Sequence, residues 1–160
     1  MAESKLPRYS LAHFLNAEDG LEGVKFTDWP LHLTVVPWFR GADEWESIRN
    51  LEFIAEQLRV CAIALGKRVL GSVELYGPDA DVPVRPTGQS TGLGVAHGLL
   101  LARFLPYLVD RTYVGDNYNP HVTVERQDPG ENFTFYLDGI SLIRHDGTHK
   151  TIVANHKLKE

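Results

Sequence analysis

Two histidines in this chain are each followed by any residue, a threonine and a valine. They are His32 in WPLHLTVVPWF and His121 in NPHVTVER, 89 positions apart. Each has a proline close before it, Pro30 in the first copy and Pro120 in the second. Side chains alternate across a strand, so residues two apart share a face. His32 therefore stands with Thr34, and His121 with Thr123, while Leu31, Leu33, Val35, Val122 and Val124 turn the other way. Two such strands side by side make a groove with two imidazoles and two hydroxyls. That set suits the opening of a phosphodiester without a metal. A neutral imidazole accepts the proton of the attacking oxygen and a protonated one supplies the leaving oxygen. Both forms coexist near neutrality because the unperturbed pKa is about 6.5. Threonine hydroxyls can donate to the non-bridging phosphate oxygens. One His-x-Thr in a strand is ordinary; the repetition carries the signal.

The elements that must position these residues can be read from periodicity. KLPRYSLAHFLN predicts a strand, closed by a turn at Asp19-Gly20, and LHLTVV a β-branched one after a loop over 23–30. A helix opens at Gly41-Ala-Asp-Glu, with Trp45, Ile48, Leu51, Ile54 or Ala55, and Leu58 as one apolar stripe. Asp43, Glu44 and Glu46 suit its positive end. Short strands are expected over 60–65 and 72–76 about a Gly66-Lys67 turn, and another over 82–85. A second helix runs from Ser90 or Thr91 to Leu105, where Pro106 stops it. NPHVTVER is a further strand, and 132–158 supplies two more about Asp146-Gly147. Each half thus pairs a helix with a His-x-Thr strand. The expectation is one α+β domain over residues 1–160 with an internal pseudo-repeat.

Composition narrows the class. At 43% hydrophobic residues the chain can build a core, and its longest apolar run, 98–109, is broken by Arg103 and Pro106 and is too short to span a bilayer. The first residues lack the regions of a signal peptide. A single cysteine, Cys61 within VCAIAL, implies buried packing and a reducing, cytoplasmic setting. A net charge of −5 with no dense Lys/Arg run argues against binding long duplex DNA, although one strand end or a small nucleotide remains compatible. No P-loop, GxGxxG, HExxH or CxxC is present; His13, His97 and His156 have no partner at metal-ligand spacing, and His145 and His149, four apart, flank a hairpin turn and read as exposed side chains.

With HLTV at 32–35 and HVTV at 121–124, and Pro120 before the second histidine, the chain resembles the 2H phosphoesterases over most of its length. That family includes 2′–5′ RNA ligase-like proteins and cyclic nucleotide phosphodiesterases. The resemblance implies a bilobal fold of two pseudo-symmetric antiparallel sheet lobes, with helices on the outer faces and a central groove. It implies His32 and His121 as the catalytic acid/base pair and Thr34 and Thr123 as phosphate-binding partners. The substrate would be an RNA end or small nucleotide with a 2′,3′-cyclic phosphate or a 2′–5′ linkage, hydrolysed by a monomer without metal or cofactor. Ligation would be the same chemistry reversed. Two other readings use the same groove: hydrolysis of cyclic oligonucleotide messengers, and a nucleotide- or RNA-binding module without turnover.

Around the pair, Trp38 and Tyr118 are candidates to stack on a base, against core packing as the plain alternative, which Phe39 favours. Trp29 reads as a loop anchor. Arg85, Arg126, Arg8 and Arg40 are candidate phosphate partners, against simple solvation. On strict alternation Arg126 points away from His121. Trp38, Tyr118, Arg85 and Arg126 complete the expected substrate-binding set.

Overall fold

The computed structural model describes residues 7–40, 43–60, 67–88 and 91–158. Ten strands and two α-helices are found among them: β1 (Arg8–Phe14), β2 (Lys25–Phe26), β3 (His32–Phe39), α1 (Glu44–Val60), β4 (Lys67–Val69), β5 (Glu74–Tyr76), β6 (Val82–Pro86), α2 (Thr91–Phe104), β7 (His121–Thr123), β8 (Thr134–Tyr136), β9 (Gly139–His145) and β10 (Lys150–Lys157). Eight strands form one antiparallel sheet in the order β2-β10-β9-β1-β3-β7-β6-β5, and β4 pairs with β8 in a second, two-stranded sheet. The architecture is α+β. No helix among the described residues is long and apolar enough to cross a membrane.

One face of the large sheet holds most of the core. Leu33, Val35, Val36 and Phe39 of β3 pack with Leu51, Ile54 and Leu58 of α1 and with Leu93, Leu100 and Phe104 of α2. The opposite face carries a smaller apolar cluster, Ala12, Phe14, Ile143 and Ile152, covered by Val24, Phe26, Trp29 and Trp38. Helix α1 starts where Asp43 Oδ1 accepts the Glu46 N–H at 2.7 Å, an N-cap that satisfies one orphan donor of the first turn.

Several expected elements differ. The buried stripe of α1 begins at Ser47, not Trp45, which is 67% exposed. The phase is set by Leu51, Ile54, Ala55 and Leu58, and Trp45 lies more than half a turn round the helix from Ser47. Val60 ends α1 rather than opening a strand, whereas 61–65, Cys61 included, lie outside the described residues. Lys67 belongs to β4 instead of a turn. The segment after residue 132 yields three strands, because β8 leaves the main sheet to pair with β4. The loop over 23–30 contributes β2. The Asp146-Gly147 turn is found, with Gly147 at φ 101° and Asp146 Oδ1 accepting the N–H groups of Thr148 and His149.

A bulge in β3 decides which side chains face which way. Leu11 of β1 pairs with Val36, but Ala12 pairs with Thr34, so Val35 and Val36 both enter the core. A second shift between the Leu11–Val36 and Tyr9–Phe39 pairs restores the phase, so Trp38 stands on the face that holds His32 and Thr34, packing in the smaller cluster.

Candidate active site

β3 and β7 are neighbours in the sheet, paired at Leu33 and Val122. An antiparallel pair centred there sets His32 opposite Thr123 and Thr34 opposite His121, and directly opposed residues share a face. The four polar side chains thus form a two-by-two array in which each histidine faces the other motif's threonine. A cavity of 330 Å³ opens at the His32–Thr123 side of the array, lined also by Trp29, Asp28, Glu125 and Arg126.

Both imidazoles are anchored alike. His32 Nδ1–H donates to the Pro30 carbonyl at 2.8 Å, and His121 Nδ1–H to the Asn119 carbonyl at 2.7 Å, each two residues upstream. A carbonyl only accepts, so hydrogen is placed on Nδ1 and Nε2 is left to exchange protons. Rings pack on both: Trp29 stacks on His32 with centroids 4.0 Å apart, and Tyr76 meets His121 edge-on at 4.9 Å. Burial pushes His32 down to about 4, with His121 and Lys150 adding to the depression and the Pro30 bond opposing it. His121 is lowered as well, by burial against the bond to Asn119.

The bulge is held by side chains. Three successive carbonyls of β3 accept from outside the ladder: Thr34 from Tyr118 Oη at 2.7 Å, Val35 from His97 Nδ1–H at 2.7 Å and Val36 from Ser10 Oγ at 2.9 Å. His97 Nε2 also accepts the Gly115 N–H at 3.0 Å, so its ring is neutral, and it stacks on Tyr118 at 3.8 Å. On β7's side, Thr87 N–H donates to the carbonyl of Pro120, just before His121. Thr87 is itself held by the buried Arg68, which donates to its carbonyl at 3.0 Å and to Oγ1 at 3.2 Å.

The expected substrate-binding residues divide. Arg126 lines the cavity and pairs with Asp28 at 3.2 Å; β7 ends at Thr123, so strict alternation no longer governs it. Trp38 reaches the same face and contacts Trp29 at 5.8 Å. Tyr118 does not reach the groove: it is 8% exposed and spends its ring on His97 and its hydroxyl on Thr34. Arg85 stands opposite Val122, on the face away from the histidines. Its guanidinium is gripped by both carboxylate oxygens of Asp128, at 2.7 and 2.9 Å, and by the Gly71 carbonyl. Trp29, read as a loop anchor, stacks on His32; its one sequence signal is a place three residues before the histidine. Among the described residues no three His, Cys, Asp or Glu side chains converge to hold a metal ion.

Four buried or half-buried histidines with lowered pKa values, His13, His32, His97 and His121, make acid a destabilising condition. Unfolded imidazoles titrate near 6.5. With folded values below that, the unfolded state binds more protons as pH falls, so this stability is complete above about 6.5 and drains away beneath it. The urea midpoint should be flat from pH 8 to 7 and drop steadily from pH 6.5 to 5. A midpoint unchanged across that lower window would show that the rings are not held neutral.

No protein-family model and no curated protein matches the chain. Solved structures share its fold. One described as a phosphoesterase matches at TM-score 0.62 and 17% identity, over 96% of this chain and 99% of its own. E. coli LigT complexed with NADP+ matches at 0.62 and 17%, over 96% and 98%. The same protein complexed with 3′-AMP matches at 0.61 and 17%, over 95% and 98%. At this identity the likeness is one of fold: the chain has a LigT-like α+β architecture along nearly its whole length.

Proposed function

We propose that the chain is a 2H-type phosphodiesterase that opens 2′,3′-cyclic phosphates or 2′–5′ linkages on RNA ends and small nucleotides without a metal or cofactor. The observation that carries this is the β3–β7 register, in which each histidine faces the other motif's threonine. The LigT-like fold and the nucleotide complexes of E. coli LigT support it. So does the repeated anchoring of Nδ1, which leaves two Nε2 atoms for proton transfer.

For a cyclic phosphate, Thr34 and Thr123 hold the non-bridging oxygens. His32, kept neutral by burial and by Lys150, takes a proton from water as its oxygen bonds to phosphorus. The P–O bond to one ribose oxygen breaks, and protonated His121 gives that oxygen a proton. A phosphomonoester results, with the histidines' protonation exchanged until solvent resets them. In this reading the β3–β7 seam is the floor of a groove between two related lobes, and the protein works as a cytoplasmic monomer.

Turnover of 2′,3′-cyclic nucleotides and of 2′–5′ and 3′–5′ linked oligomers, measured in excess EDTA, tests the proposal. Cleavage of a cyclic or 2′–5′ substrate at an undiminished rate is expected. Loss of that activity in EDTA would refute the metal-free mechanism, and an inert protein on the whole panel would refute the substrate class.

A further inference from the structure

Arg8, His145 and Lys150 stand level on three adjacent strands: Arg8 of β1 pairs with His145 of β9, which pairs with Lys150 of β10. Opposed residues in antiparallel strands share a face, their Cβ atoms about 4.5–5.5 Å apart, and like charges so placed repel. The nearby carboxylates relieve them only in part: Asp28 favours the charge on Lys150 and Asp146 that on His145, yet both are engaged elsewhere. Asp146 accepts the Thr148 and His149 N–H groups of its own turn, and Asp28 is paired with Arg126. Burial and the neighbouring Arg8 and Lys150 charges lower the proton affinity of His145, and Asp146 offsets them only partly.

Two of the three residues also carry orphaned atoms. Arg8 Nε and His145 Nδ1 are shut off from solvent and have no hydrogen-bond partner. Buried polar atoms are normally paired, and Nε–H of an arginine can only donate. Arg8 Nε–H is therefore a donor to which an anion could supply the acceptor.

The cluster lies on the same sheet face as the histidine pair and is linked to it by rings. The Arg8 guanidinium is 5.1 Å from the Trp38 ring, Trp38 is 5.8 Å from Trp29, and Trp29 is 4.0 Å from His32. Lys150 Nζ donates to the Thr27 carbonyl at 2.7 Å, which leaves it further donors, and lies 5.7 Å from the Trp29 ring. On a chain of net charge −5, this is a basic spot, only partly compensated, beside a pair of indoles.

We propose that Arg8, His145 and Lys150 form a subsite for a second phosphate of a nucleotide substrate, with Trp29 and Trp38 supporting the base between it and the phosphate held at the histidines. This rests on the phosphodiesterase reading and sharpens it: the preferred substrate carries at least two phosphates along one chain. Such phosphates take charge-assisted hydrogen bonds from guanidinium and ammonium groups, and aromatic faces accept any base.

Equilibrium titration of the full-length protein tests the subsite with ligands that lack a cyclic phosphate or 2′–5′ linkage: adenosine 3′-phosphate, adenosine 3′,5′-bisphosphate, and a 3′–5′ linked diadenosine dinucleotide ending in a 3′-phosphate. Affinity is expected to rise tenfold or more at the first addition that places a phosphate in the subsite. That step should shrink to within twofold in Arg8→Gln and in Lys150→Gln. Affinities equal along the series in the wild type would overturn the subsite, and need no variant to fold. A step that persists in both variants would overturn it too. A step without turnover of any cyclic or 2′–5′ substrate leaves the subsite standing and removes the catalytic reading; turnover without a step does the reverse.

Discussion

His32→Ala and His121→Ala are each expected to lower kcat on the best cyclic or 2′–5′ substrate by about 10²–10⁴-fold, the range for losing a positioned general acid or base. The two rings act on opposite ends of one displacement, so the double variant should be little worse than the worse single one. Binding should suffer far less than turnover, because Thr34, Thr123 and the cavity walls remain. Equal losses of binding and turnover would favour a module that holds nucleotides without cleaving them. The pH profile separates the roles. His32 sits at about 4 and His121 below its ordinary value, so in the free protein the competent form has His32 neutral and His121 protonated. That form disappears as pH rises through the pKa of His121, so kcat/KM should peak on the acid side of about 6.5. His121→Ala should erase the descending limb in its residual activity. A descending limb that survived this change would assign the acid elsewhere.

Phe39→Ala should cost about 3–5 kcal/mol of stability, the range for emptying a buried phenylalanine site. Phe39 is fully buried, stacks on Phe104 of α2 at 4.2 Å and touches the Tyr9 ring at 6.1 Å. It also closes the far end of β3: it bridges to Leu108, while the Trp38 carbonyl accepts the Val109 N–H and Arg40 N–H donates to the Tyr107 carbonyl. A cavity there cannot collapse easily, because strand, helix and returning loop are all fixed at that point. The urea midpoint should fall accordingly, with a melting temperature lower by on the order of 10 °C. A loss under about 1 kcal/mol would mean the aromatic stack is replaceable by relaxation. Any activity lost in this variant should return under conditions that refold it, since Phe39 faces away from the histidines.

The amino-acid order by itself determined what depends on local periodicity. Alternation alone puts Thr34 beside His32 and Thr123 beside His121. Spacing of three and four residues marks Leu51, Ile54 and Leu58 as one helix face, and Asp146-Gly147 marks a tight turn because glycine tolerates positive φ. Only the tertiary structure decided what depends on which strands meet. That β3 lies against β7, in a register opposing each histidine to the other threonine, follows from pairing across 89 positions, which no local pattern encodes. β3 carries two register shifts: the first brings Val36 into the core beside Val35, and the second, before Phe39, restores the phase that keeps Trp38 on the site face. Tyr118 looked free to stack on a base, yet its hydroxyl is required by a bulge carbonyl 84 residues away. Arg85 looked free to meet phosphate, yet its carboxylate partner, Asp128, comes from a distant loop. Trp29 and the basic trio of Arg8, His145 and Lys150 gain meaning only once four separate segments share one face. Side-chain type and local phase are written along the chain; partners are chosen by packing, where every group competes for the same buried donors, acceptors and space.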